Sequence, residues 1–144
     1  VTAPIRLREV DGKAEDKAAL LRYLQLTALP GDIPMETDEG WWWVAYDNGV
    51  PVAFAGLTES KQFPNAGYLC RAGVLPTHRG RGLQRRLIAA RERKARKLGM
   101  VALVSDTYDN PASSNNLIAC GFRMHEPLVR YGAEGTNYWR KPLT

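Results

Sequence analysis

The chain has 144 residues, 44% hydrophobic and 24% charged, enough for one domain with a real core. No stretch approaches the roughly 18 apolar residues of a membrane span, and Val1-Thr2-Ala3-Pro4-Ile5-Arg6 lacks the apolar core of a secretory leader, so a single cytoplasmic domain over residues 1–144 is expected. The net charge of +5 is concentrated, because nine of the twenty Lys and Arg residues fall between Arg79 and Lys97 with only Glu92 opposing them.

In chain order, Ile5–Val10 alternates apolar and polar residues, as a half-buried strand should. A helix is predicted from Ala14 to Leu29, with Ala18, Leu20, Leu21, Leu24 and Ala28 near helical spacing and Pro30-Gly31 ending it. Residues 32–40 carry the acids Asp32, Glu36, Asp38 and Glu39, are interrupted by Pro34, and read as a loop or a short helix. Trp41–Tyr46 and Val50–Leu57 flank Asp47-Asn48-Gly49, the strongest hairpin signal in the chain. A strand follows over Gly67–Val74, then a helix from Gly82 to about Leu98 closed by Gly99. Met100–Ser105 has the unbroken apolar character of a strand buried on both faces. The order predicts an antiparallel meander leading into a right-handed strand-helix-strand crossover between parallel strands. Cys70, Cys120, His78 and His125 stand at no metal-binding spacing, which predicts buried free thiols and no metal site.

The junction from Val74 to Ile88 carries the chemistry. A helix start leaves amides without intrahelical partners and presents the positive end of the macrodipole, so it can grip a diphosphate. Gly80 and Gly82 permit the positive φ angles that turn consecutive amides inward. Neither the GxxxxGK[ST] spacing nor a third glycine for GxGxxG is present. Arg79, Arg81, Arg85 and Arg86 suit a highly anionic cofactor, while Arg91, Arg93, Lys94, Arg96 and Lys97 read as a solvated face, with a nucleic-acid footprint as the alternative.

Arg79-x-x-Gly82-x-Gln84, followed by Leu87, resembles the Q/R-x-x-G-x-G/A motif of the GNAT superfamily of N-acetyltransferases, with Gln84 where the motif has Gly or Ala. A shifted register, Thr77-x-x-Gly80-x-Gly82, restores both glycines but loses the arginine. The first register is preferred because Leu83, Leu87, Ala90 and Leu98, flanked by Ile88 and Ala95, then form one apolar stripe. Asn110 to Phe122 is similar to the family's N-x-x-A/S-x-x-L-Y-x-x-x-G-F segment, and Tyr138–Leu143 resembles its closing strand.

The resemblance implies an α/β fold: a mixed, mainly antiparallel twisted sheet whose central parallel strand pair splays around the cofactor, with helices on both faces. It implies acetyl-CoA as acyl donor without a metal, and direct attack by a primary amine of a small molecule or peptide. By the same resemblance the diphosphate falls to Arg79, Gly80, Arg81, Gly82, Leu83 and Gln84. The pantetheine arm and thioester fall to Ala72, Gly73, Val74, Asn110 and Ser113. Leu117 stands where many relatives carry a proton-donating tyrosine, which leaves Tyr108, water or the acceptor itself to serve, and a glutamate used by some relatives as a base maps to Tyr68, a phenol that does not easily remove a proton at neutral pH. Asp32, Glu36, Asp38 and Glu39 followed by Trp41–Trp43 form either an acidic, aromatic-rimmed pocket for a cationic amine or a solvated loop. A catalytically silent acyl-CoA-binding module and an RNA-directed acetyltransferase are the rival readings. A homodimer is left open.

Overall fold

The computed structural model describes residues 4–144, so the leader expectation at Val1–Ala3 lies outside the described residues. Strand β1 (Arg6–Val10) is followed by helix α1 (Glu15–Ala28), the hairpin β2 (Trp41–Asp47) and β3 (Val50–Glu59), and β4 (Ala66–Val74). A single 3-10 turn at Pro76–His78 leads into α2 (Leu83–Lys97), then β5 (Ala102–Thr107), α3 (Pro111–Ala119), β6 (Arg123–Met124) and β7 (Asn137–Pro142). Among the described residues these strands form one sheet in the order β1-β2-β3-β4-β5-β7-β6, antiparallel except for β4 beside β5. No helix among them is long and apolar enough to cross a membrane.

Period-two alternation assigns the sheet's two faces. Trp43 and Ala45 of β2 pack with Leu83, Leu87 and Ile88 of α2, whereas Trp42 and Val44 point the other way, onto Leu21, Leu24 and Ala28 of α1. The hairpin turns at Asn48 (φ 51°) and Gly49 (φ 83°), both in the left-handed region that a two-residue turn of this hand requires. Trp42 and Trp43 are thus core residues, and of the three tryptophans expected to rim a pocket only Trp41 is free to do so.

Two departures from regular geometry place the site. The β3–β4 ladder runs Ala55 to Ala72 and then Leu57 to Leu69, so Cys70 and Arg71 oppose the single residue Gly56 in a bulge. The parallel β4–β5 pairing covers only Ala66–Tyr68 against Ala102–Val104. Beyond Tyr68 the two strands part. The bulge and the parting share one stretch of β4, and a bulge bends the strand that carries it.

Gly56 is needed there for space. A Cβ at this position would lie 2.5 Å from the Trp42 ring and 2.7 Å from Cys70 Sγ, and neither neighbour sits at the end of a flexible side chain. Gly56→Ala is expected to cost about 1–3 kcal/mol by overpacking, read as a lower urea midpoint with an unchanged slope.

Leu98 corrects the predicted stripe: it is 44% exposed. α2 ends in a Schellman turn, with Gly99 N donating to Arg96 O (3.1 Å) and Met100 N to Ala95 O (2.9 Å). The turn swings Leu98 off the apolar face, and Met100 packs against the core in its place. Both cysteines are free thiols, but partly rather than fully buried.

Candidate active site

The turn before α2 has the geometry of an anion grip. Gly80 (φ 79°) and Gly82 (φ 76°) are both left-handed, and Gly82 caps the helix, its carbonyl accepting from Arg86 N at 3.1 Å. Among the described residues the amides of Arg79 to Arg85 meet no protein acceptor, and the first turn of α2 carries no acid to compete for them. Leu83 is buried in the core, so only its backbone faces the turn.

The motif arginine braces this turn. Arg79 Nε donates to Val74 O (3.1 Å) and Nη2 to Ala28 O (3.0 Å), tying the turn to the end of β4 and the C-terminus of α1. Arg85 Nε donates to Asn116 Oδ1 (3.1 Å) and Arg86 Nη2 to Ile5 O (2.8 Å). Arg81 has no side-chain partner among the described residues and is exposed beside the free amides.

Where β4 and β5 part, a cleft of about 120 Å³ opens between α2 and α3. Ala72, Gln84 and Ser113 line it, as does Leu117. Gly73 and Val74 do not. A Cβ on Gly73 would meet Phe54 and Ala28 on the α1 face, and Val74 packs in the α2-side core. Asn110 caps α3, its Oδ1 accepting from Ser113 N at 3.0 Å.

Leu117 is 5% exposed and fixed by the end of its own helix. Phe122 N donates to Leu117 O (2.9 Å) and Gly121 N to Ile118 O (3.0 Å), a second Schellman turn that packs Phe122 and Leu117 into the same core. The cleft wall at this point is therefore apolar.

Arg91 overturns the reading of the basic run as a solvated face. It is 3% exposed and lines the cleft, with Nε donating to Leu87 O and Nη1 to Gly56 O, both at 3.1 Å. Its acceptor on β3 lies at the bulge. Burial lowers its pKa to about 10, so the guanidinium remains a cation at neutral pH, and among the described residues no carboxylate is ion-paired with it. The rest of the run is partly knitted to the sheet. Lys94 pairs with Glu9 (3.1 Å), and Glu92 pairs with Arg96 (3.1 Å) and Lys141 (2.6 Å).

A larger cavity of about 1090 Å³ lies on the far side of the parting strands. Trp41, Asp38 and Glu39 form one wall, and Tyr68, Tyr131 and His125 lie around it. Cys70 and Ser105 line both spaces, so the two adjoin at the bulge. Ser105 Oγ donates to Leu69 O (3.2 Å) across the gap.

The other predicted acceptor residues are engaged elsewhere. Asp32 is ion-paired with Arg71 and accepts from the buried Gln25 (2.6 Å), while Glu36 pairs with Arg22 (3.1 Å), and neither lines the cavity. Tyr108 is 61% exposed and lines neither space. Tyr68 does line the larger one, and its hydroxyl donates to Asp106 Oδ2 at 2.6 Å. Tyr131, which the sequence reading missed, donates to the same oxygen at 2.7 Å. Burial, then the hydrogen bond to Asp106, pushes both phenols well above the ordinary tyrosine range.

A helix start with free amides, a cleft where parallel strands part and a second cavity beside that cleft thus lie together on one α/β sheet. A model of the acetyltransferase (GNAT) family matches residues 12–122, and the chain belongs to that family. Its fold is similar to that of a Bacillus subtilis acetyltransferase solved in complex with CoA (TM-score 0.76, 17% identity, covering 98% of this chain and 100% of that one). It also resembles an IAA acetyltransferase from Bacillus cereus (0.74, 19% identity, 96% and 99%). A third likeness is to the ribosomal-protein-S18-alanine N-acetyltransferase from Escherichia coli (0.73, 15% identity, 96% and 95%). No curated protein matches the chain in sequence.

Proposed function

We propose that this acetyltransferase moves the acetyl group of acetyl-CoA directly onto a primary amine of a small molecule or peptide. The observation that carries the reading is that the two spaces adjoin, with Cys70 and Ser105 lining both. A donor lying in the cleft and an acceptor in the larger cavity converge there without a covalent enzyme intermediate, and proximity alone removes much of such a barrier.

The residues present fit the donor. The amides of Gly80 to Gln84 and the unpartnered Arg81 suit a diphosphate. The narrow cleft, with Ala72, Gln84 and Ser113 on its walls, suits the pantetheine arm. Bound there, acetyl-CoA supplies an activated acyl carbon whose C–S bond breaks as the amine nitrogen bonds to it. Arg91 then places a desolvated positive charge in the wall of the space where the sulfur becomes anionic.

On the acceptor side Asp38, Glu39 and Glu59 outnumber Lys13 and Lys61 around the cavity, and this acidic excess beside Trp41 suits an amine that arrives as a cation. Each exposed charge contact is worth up to about 1 kcal/mol, so the double variant Asp38→Asn, Glu39→Gln is expected to raise KM for a cationic amine by roughly fivefold. The acetyl-CoA Kd should not change. Equal KM values for cationic and neutral amines in both proteins would remove the two acids from acceptor recognition.

The apolar wall at Leu117 favours the silent binding module as the second reading. CoA release measured across a panel of amines separates the two. The enzyme gives acceptor-dependent thiol, and the module gives binding alone. Pairing of Lys94 and Arg96 with Glu9 and Glu92 weighs against an RNA-directed role for the basic run.

A further inference from the structure

We infer that Tyr68 and Asp106 form a proton relay in the acceptor cavity, in which Tyr68 takes a proton from the attacking amine as its own proton passes to Asp106. The inference rests on the acetyl-transfer reading above and assigns its proton path.

Asp106 follows the alternation of β5: Leu103 and Thr107 face the α2 side, Thr107 Oγ1 lying 3.0 Å from Ser114 Oγ of α3, so the Asp106 carboxylate faces the acceptor cavity, which Tyr68 and Tyr131, both donating to its Oδ2, line. Tyr68 comes from β4 at the last parallel rung, where it pairs with Val104, and Asp106 comes from β5 two residues beyond that rung. The hydroxyl therefore reaches the carboxylate across the start of the parting. Since each phenol spends its proton on Asp106, its oxygen lone pairs remain to accept from a group in the larger cavity.

Both phenols resist ionisation, so a tyrosine here passes a proton on without ever carrying a charge.

The step balances within the named groups and solvent. The amine, having lost its ammonium proton to solvent, donates its lone pair to the acetyl carbon and becomes acidic. One N–H proton moves to Tyr68 Oη as the Tyr68 proton moves to Asp106. The C–S bond breaks with its electron pair on sulfur. Asp106 passes its proton on to solvent and the thiolate takes one from solvent, so that amine and thioester end as amide and thiol. Tyr131, the second donor to Oδ2, is a positioning residue that fixes the carboxylate's orientation.

The test is steady-state kinetics of wild type, Asp106→Asn, Tyr68→Phe and Tyr131→Phe, with acetyl-CoA Kd and circular dichroism as controls for folding. Asp106→Asn retains an oxygen that can accept from both phenols, so a merely structural carboxylate would leave kcat near wild type. The relay predicts that Asp106→Asn and Tyr68→Phe each lower kcat by about 100-fold or more. The acetyl-CoA Kd should hold, and Tyr131→Phe should lower kcat less. A wild type that turns over while Asp106→Asn stays within about threefold of its kcat overturns the relay alone. A wild type that binds acetyl-CoA but releases no CoA with any amine overturns the transfer reading and the relay with it.

Discussion

Gly82→Val is expected to raise the acetyl-CoA Kd by about 10- to 100-fold, because removing one charge-assisted hydrogen bond costs about 1.5–3 kcal/mol and this turn aligns several donors. The residue sits at φ 76° and ψ 13°, the capping position of α2. A β-branched side chain disfavours that region by at least about 1–2 kcal/mol, so the turn relaxes toward negative φ and its amides rotate out of alignment. A Cβ at Gly82 would meet nothing within 4 Å, so the effect arises from backbone conformation and not from crowding. Thermal stability should therefore fall little while affinity falls steeply. Calorimetric titration with acetyl-CoA, alongside a melting curve, reads both. An unchanged Kd would take the diphosphate away from this turn.

Arg91→Met is expected to leave the melting temperature equal to or above that of wild type while lowering kcat by at least about tenfold, in line with the loss of one preorganised donor to a developing anion. Two stability effects compete. Methionine leaves Gly56 O at the bulge without its donor, which costs about 1–3 kcal/mol. It also removes a fully buried cation with which, among the described residues, no carboxylate is ion-paired. Burial lowers the Arg91 pKa from 12.5 to about 10, a penalty of about 3 kcal/mol on the charged form. The sign follows from linkage: a cation whose folded-state pKa is depressed destabilises the fold at every pH below that pKa, including neutrality. The relief thus matches or exceeds the loss, as it often does when buried ions give way to apolar side chains. A residue that adds little stability and lines the donor cleft is best explained by work done there. A melting temperature lowered by several degrees with kcat intact would instead make Arg91 a prop for the bulge.

Features fixed by local chemistry were legible before the fold was known. Asn48-Gly49 specified its turn within two residues, and Gly82 specified the start of α2. The Gly121-Phe122 pair specified the end of α3 through bonds reaching back only to Leu117 and Ile118. Features fixed by cross-strand register were not. The bulge exists because Cys70 and Arg71 share one partner in Gly56, and no residue of β4 announces that in isolation. The Tyr68–Asp106–Tyr131 cluster joins positions 38 and 25 residues apart. Asp32 and Glu36 looked available because Arg71, 39 residues on from Asp32, and Arg22, 14 residues before Glu36, could not be seen to claim them. Arg91 was an avoidable miss. Leu83, Leu87, Arg91 and Ala95 follow one another at four-residue steps, which puts the arginine on the buried face whatever its charge.

The most direct test of a donor cleft and an acceptor cavity adjoining at the β4 bulge is a crystal structure with acetyl-CoA bound. It should show the diphosphate on the amides of Gly80 to Gln84 and the thioester between Cys70 and Ser105, open to the cavity walled by Trp41 and Tyr68. A diphosphate bound away from this turn, or an acetyl group outside the space between β4 and β5, would contradict it.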